Sequence, residues 1–418
     1  MNVPRPICLP PMKSLLLLTL AAASALAAPA LPPMLRLADT GEDPTRIDYA
    51  RLPVLRGGHA LVTKGPHDVR GMEAAIFDLA DVNDPGKWNF RLHSYLAHFD
   101  GRYWMMWSHG RQVEDHPTQH LRYATSADGL KWSEPRIIAG PPTRDGFRYI
   151  ARGLWLRDGR LLALASHDEA YQGGRVRFFG ASLQLHGWEW LPAAGQWKPL
   201  GVIADGAINN FPPAKLPNGE WGMICRAPDY QRNVFMLTGG VERPDAWKRS
   251  PIVTEAVADG FRPEEPDWWT LPDGRLLGLF RDNARSGRFY RAVSSDSGLT
   301  WSATEKTNFP DATSKFFCLR TSRGFYALVN NANPKGRNPL CLSTSADGIT
   351  FTRMARLPIP VAPEGGAFDG AHASGSVQYP HVIEHDGHLL ITYSRHKTAI
   401  EVIRVSLDEI EKLHRGAL

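Results

Sequence analysis

Asp158-Gly159-Arg160-Leu161-Leu162 is a tight turn feeding an apolar strand, and the pattern recurs five more times along the chain. The other copies are Asp100-Gly101-Arg102-Tyr103-Trp104, Asn218-Gly219-Glu220-Trp221-Gly222, Asp273-Gly274-Arg275-Leu276-Leu277, Arg323-Gly324-Phe325-Tyr326-Ala327 and Asp386-Gly387-His388-Leu389-Leu390. Asp-Gly and Asn-Gly supply the positive φ angles that two-residue hairpin loops need, so each copy marks a connection between antiparallel strands. Successive glycines stand 58, 60, 55, 50 and 63 residues apart. A period of that size holds about four short strands, and radial repetition of such units makes a propeller. The fold class that follows is all-β, a six-bladed β-propeller of four-stranded antiparallel blades.

Composition agrees with that reading. The 418 residues are 43% hydrophobic and 22% charged, enough for a large core, while 38 Gly and 33 Pro interrupt any long helix. The formal charge of +5 comes from 36 Arg and 12 Lys set against 43 acids, without basic runs. No nucleic-acid-binding stripe is present, and an excess of Arg suits anionic ligands.

The chain divides into three segments. Lys13 precedes the apolar run Ser14 to Ala23, and Ala25-Leu26-Ala27 offers a small-x-small cleavage site, so residues 1–27 read as a signal peptide. Met12 is an alternative start, and a retained N-terminal anchor is the competing reading of the run. No other run is long enough to span a bilayer. The mature protein is expected to be secreted or periplasmic, and a monomer. Residues 28–50 form a Pro- and Ala-rich arm, and residues 51–418 the propeller. Cys8 falls in the signal; Cys225, Cys318 and Cys341 have no metal-ligand spacing and read as buried thiols, with a Cys318–Cys341 bridge left open. A strand near Ala60-Leu61-Val62 is expected to pair with the last blade and close the ring. Ser406 is expected to cap a C-terminal helix, with Glu409 completing a capping box.

The repeat places the polar residues. If each Gly turn joins the first and second strands of a blade, residues eight to ten before the Gly begin the strand that lines the channel. Residues about seven after it end the second strand on the same rim. Those positions hold Arg91, Glu265 and Tyr379, and Arg281. The loops that follow bring Asp115 and Arg337. The second copy offers His167 and Asp168 to this rim, and the third offers Asn209, Asn210 and Arg226.

Three further segments resemble the Asp-box of sialidases: Ser126-Ala127-Asp128-Gly129-Leu130-Lys131-Trp132, Ser294-Ser295-Asp296-Ser297-Gly298-Leu299-Thr300-Trp301 and Ser345-Ala346-Asp347-Gly348-Ile349-Thr350-Phe351. Only the central copy has the family's full spacing. The rim residues resemble the same family's catalytic pattern. Phe90-Arg91-Leu92-His93 is similar to its Phe-Arg-Ile-Pro motif, with His93 standing where the family has Pro. Glu265 before Asp273-Gly274 with Arg281 after it, Arg337 after Asn333-Pro334, Asp115 before the first Asp-box, and Tyr379 before the last Asp-Gly turn all match, over roughly residues 85 to 400. Tyr393-Ser394-Arg395 stands where the family often has a Glu bracing the first Arg.

The resemblance implies a glycosidase acting on an acidic glycan. Arg91, Arg281 and Arg337 would bind the sugar carboxylate, a task suited to groups that stay charged and present paired donors. Tyr379 would be the nucleophile, Glu265 its base and Asp115 the general acid, with Glu114 and His116 as neighbouring candidates for that last role. His93, Asn210 and Arg226 would be rim contacts. No metal or organic cofactor is implied. Two other readings stand beside this one. A uronate-specific polysaccharide lyase would also use Arg with Tyr or His. A non-catalytic carbohydrate-binding propeller would use Trp104, Trp107, Trp268 and Trp269 for stacking unless these are blade core.

Overall fold

Each of the six Gly turns closes a hairpin between the first two strands of a four-stranded sheet, and the six sheets are the blades of a propeller. The computed structural model describes residues 31–63, 88, 90–111, 114–117, 119–143, 146–169, 171–172, 175–176, 179–228, 233–253, 260–360 and 376–418. The signal peptide expected at residues 1–27 lies outside them. No helix among the described residues is long and apolar enough to cross a membrane.

The first strands run Phe90–Phe99, Phe147–Arg157, Pro263–Thr270, Phe317–Arg320 and Val377–His385 in the first, second, fourth, fifth and sixth blades. In the third blade that strand is broken into Ile208–Asn209 and Ala214–Lys215. Phe211-Pro212-Pro213 lies at the break, where proline cannot donate to a ladder. First strands touch between the first and second, fourth and fifth, fifth and sixth, and sixth and first blades, so they line the centre. Gly153 marks one close approach: a Cβ there would sit 2.6 Å from Pro212 Cδ, and its φ of +142° is one that a side chain rarely allows.

The core lies between blades rather than within them. Six buried apolar clusters correspond to the six blade–blade contacts, from Tyr95, Trp104, Leu154 and Trp188 between the first two blades to Met105, Trp107, Leu390 and Val402 between the sixth and first. Trp104, Trp107 and Trp269 are buried in the blades rather than displayed on a rim. Cys225, Cys318 and Cys341 are buried free thiols, so the Cys318–Cys341 bridge does not form.

Ring closure follows the sequence expectation. Gly58–Leu61 pairs antiparallel with Ala399–Ser406 and supplies the outer strand of the sixth blade. The segment just before it packs on the fifth blade, where Phe351 N donates to Met34 O at 2.8 Å and Leu55 N to Arg356 O at 3.0 Å. Ser406 caps the helix Leu407–Arg415 through Glu409 N. The second half of the capping box is not made: the Glu409 carboxylate accepts from Arg56 N and its guanidinium instead.

All three Asp-box turns form between the outer strands of their blades, including the two with shorter spacing. In each, the Asp accepts backbone N–H groups two to four residues on, and the Ser Oγ accepts from the Gly N at 2.9 Å. The indoles of Trp132 and Trp301 donate to Gly129 O and Gly298 O; Phe351 has no donor to do the same.

Glu401 locks the closing strand. His59 Nε2 lies 2.9 Å from Glu401 Oε2, and Arg395 and Tyr393 donate to the same carboxylate. Burial raises its pKa, but these three partners outweigh burial and bring it from 4.5 to about 2. A depressed carboxylate stabilises the fold above its unfolded pKa and loses that effect as pH falls through the folded value. Glu401→Gln is therefore expected to cost roughly 3 kcal/mol at neutral pH. In urea titrations across pH, the gap from wild type should narrow between about pH 4.5 and about 2.

Candidate active site

A strand that alternates strictly cannot aim consecutive side chains into the channel. Four of the inner strands break alternation with a bulge near their start. The ladder shifts between Leu92 and Tyr95, Ala151 and Gly153, Glu264 and Asp267, and Gln378 and His381. An extra residue re-aims the bulged strand. His93, Glu265 and Tyr379 take left-handed backbone there, with φ of 54°, 43° and 63°. Asp115 and Phe179, on loops, do the same at 72° and 54°. Such conformations cost about 1–3 kcal/mol each in non-glycine residues. All five residues line one cavity of about 220 Å³.

The cavity gathers most of the residues singled out in the sequence. Tyr379, Glu265, Asp115, Arg281, Arg337, His93, Asn210 and Arg226 all line it, together with Glu114, Arg152, Phe179, Glu264, Asn283 and Lys397. Arg91 does not. Its backbone N donates to Lys397 O at 2.7 Å and its Nη1 to Thr398 O at 2.6 Å, and the bulge that follows gives the cavity position to His93.

Arg281 organises the centre. Its Nη1 donates to Glu265 Oε2, stands 3.5 Å from Tyr379 Oη, and its Nη2 donates to Asn283 Oδ1 at 2.8 Å. Arg337 donates to Gln378 Oε1 and to Thr313 O at 2.7 Å, with its guanidinium carbon 5.7 Å from the Tyr379 ring centre. Phe90 and Leu92 pack against Tyr379, and the His93 ring lies 5.5 Å from it. Arg226 pairs with Glu264, and Lys397 with Glu114. Asp115 is held by Arg148, which Asp168 binds from behind at 2.8 Å. Fully buried Lys315 lies beneath, donating to Tyr95 Oη at 2.9 Å.

These surroundings divide the protonation states. Burial, reinforced by Glu265, pushes the Tyr379 phenol well above its ordinary range despite Arg281 and Arg337. Burial also works against the Glu265 carboxylate, but Arg281, a hydrogen bond with Tyr379, Lys315 and Arg337 outweigh it and hold it low. Burial raises Asp115 to about 6 against the pull of Arg148. Burial, with Arg152, Lys315, Lys397 and Arg148, keeps His93 neutral. A protonated phenol thus sits beside an ionised base, with a carboxyl group that gains its proton below about pH 6 in the same cavity. Among the described residues no three His, Cys, Asp or Glu side chains are grouped to hold a metal ion.

Sequence reasoning missed Arg152, Lys397 and Glu264. In the second copy the offset of eight to ten lands on Tyr149 to Ala151, one residue short of Arg152, because the bulge at Gly153 is invisible to a count from Gly159. Lys397 sits in a turn after the second strand of the sixth blade, outside the offsets used. A second cavity of about 280 Å³ is mostly apolar, and the oxygens of its buried Asp267 are taken by Trp268 N and Cys318 N.

The sequence matches the BNR repeat-like domain family over residues 101–391. No curated protein matches the chain in sequence. Among solved structures, a sialidase superposes with a TM-score of 0.60 at 19% identity over 90% of this chain, which spans 34% of that protein's length. A Dyadobacter fermentans protein of unknown function gives 0.60 at 16%, covering 84% of this chain and 99% of the other. The NanB sialidase from Streptococcus pneumoniae gives 0.58 at 12%, over 80% and 70%.

The electrostatics can be measured directly. A carboxyl-carbon NMR titration should place Asp115 near pH 6, and Arg148→Gln should move it higher, because removing a neighbouring cation disfavours the anion. A titration near the ordinary 3.8 would show that the burial described does not hold in solution.

Proposed function

We propose that this chain, which belongs to the BNR repeat-like family and has the sialidase-type six-bladed propeller, is an exported exo-glycosidase. It would hydrolyse a terminal acidic sugar, sialic acid or a related 2-keto acid, from glycoconjugates with retention of configuration. One observation carries the reading: Arg281 contacts both the Glu265 carboxylate and the Tyr379 hydroxyl within a cavity that also holds Asp115. Arg281 and Arg337 flank the phenol and bind the substrate carboxylate. Arg91, expected from the sequence as a third carboxylate-binding arginine, donates to the Thr398 carbonyl and is not one of the cavity-lining residues.

The chemistry follows from the charges. A carboxylate nucleophile would be repelled by the substrate's own carboxylate, whereas a neutral phenol is not. Tyr379 Oη attacks the anomeric carbon as its proton passes to Glu265. The bond to the leaving oxygen breaks and that oxygen takes the Asp115 proton. Water then attacks the glycosyl-tyrosine, giving its proton to Asp115, while Tyr379 leaves and recovers its proton from Glu265. Proton transfer of this kind contributes about 10²–10⁴-fold.

Release of a fluorogenic aglycone from a 2-keto-acid glycoside should fall about 10²–10⁴-fold in Tyr379→Phe, with the first product of the wild type showing retained configuration by proton NMR. An unaffected variant would remove the nucleophile, and an unsaturated, ultraviolet-absorbing product would indicate a lyase. Asp115 must be protonated to act, so kcat/KM should decline as pH rises through about 6, and Asp115→Asn should abolish that limb.

A further inference from the structure

The charges of the cavity do not cancel. Arg226 pairs with Glu264, Arg281 with Glu265, Lys397 with Glu114, and Asp115 is held by Arg148. Every carboxylate lining the cavity is thereby engaged. Two lining guanidinium groups are left without a carboxylate among the described residues. Arg337 is one, bonded to an amide oxygen and a carbonyl. Arg152 is the other. It is 4% exposed, and its Nε donates to Ser166 Oγ at 2.7 Å, but its terminal nitrogens have no hydrogen-bond partner among the described residues.

Asn210 makes the same point independently. It is 2% exposed, and its Nδ2 has no acceptor among the described residues although it lines the cavity. Asn209 Nδ2 reaches Arg152 O at 3.3 Å, which ties the two segments together. Phe179 faces Arg152 at 5.7 Å and Arg226 at 4.7 Å, and Ile150 and Ile208 complete the wall. An oxyanion in the cavity would supply acceptors to the Arg152 terminal nitrogens, which bond to no described residue, and to the buried Asn210 amide, whose unmade hydrogen bond is costly. Arg152 and Asn210 belong to the second and third blades, whereas Arg281, Arg337 and Tyr379 belong to the fourth to sixth. The cavity therefore offers two separate places for negative charge.

We propose that Arg152 and Asn210 form a second oxyanion subsite, so that the preferred substrate is an acidic sugar carrying a second anionic substituent, a sulfate ester or a carboxylate, beyond the carboxylate bound by Arg281 and Arg337. The proposal rests on the glycosidase reading for its substrate class. Its donors are the planar fork of Arg152, suited to either oxyanion, and the amide of Asn210.

The test uses three fluorogenic 2-keto-acid glycosides that differ at one ring substituent: a neutral acetamide, a sulfate ester or a carboxylate. Wild-type kcat/KM should favour one of the oxyanion forms over the acetamide by about tenfold or more, and the favoured form identifies the group. Arg152→Gln should bring that ratio to about one. Asn210→Asp, of the same shape but opposite in effect, should bring it below one. A wild-type ratio of one or less, or a ratio unchanged in folded Arg152→Gln, overturns the subsite. Circular dichroism melting checks folding, and the ratio in Asn210→Asp decides between the outcomes if Arg152→Gln does not fold. Failure of the glycosidase reading is distinguishable, because none of the three glycosides would then be turned over. In that case calorimetric affinities for the three free sugars give the same ratio, and the same outcomes support or overturn the subsite.

Discussion

Backbone held in the left-handed region at the mouths of the inner strands is the constraint on which this site depends. His93, Glu265 and Tyr379 reach the cavity because bulges in three blades turn them inward, and Asp115 and Phe179 reach it from strained loops. A regular strand would send alternate side chains into the blade interfaces and leave the axis to whatever remained. Five left-handed residues together represent several kcal/mol of local strain, about 1–3 kcal/mol each. The apolar clusters between blades offset it: each buried side chain such as Trp107 or Trp155 contributes on the order of 1.5–3 kcal/mol, and the ring contains dozens.

The same closed geometry explains the electrostatics. Low-exposure ion pairs such as Arg281–Glu265 and Arg226–Glu264 keep charged groups fixed and largely free of water. Fixed dipoles and charges of this kind need no reorganisation when a reaction develops charge. Arg281 holds Glu265 ionised, burial and the Glu265 charge keep Tyr379 protonated, and at Asp115 burial outweighs the pull of Arg148 and raises it to about 6. Three oxygen acids in one cavity thus titrate in different ranges. Among the described residues no carboxylate pairs with Arg152 or Arg337, so positive charge is in excess in this cavity.

Much of the site is legible in the order of residues. Glu265 and Tyr379 stand nine and eight residues before their turn glycines, and that count places both at the channel mouth. The same count fails at Arg91, where the bulge two residues later puts His93 at the cavity and turns the arginine toward Thr398. It fails again at Arg152, where a Gly153 bulge shifts the register by one. Lys397 escapes for another reason: it lies in a turn whose path no periodicity describes.

From the chain alone came the number of blades, the positions of their hairpins, the three Asp-box turns and the strand that closes the ring. Those are local or periodic properties, written in Gly turns and alternating strands. Which side chains meet was decided only by the folded ring. Bulges and loops alter register by single residues, and one residue is enough to exchange a cavity wall for a blade interface. The pairing of charges is likewise a property of distances across blades. No spacing in the sequence records that Arg281 reaches Glu265 while Arg152, among the described residues, forms no ion pair.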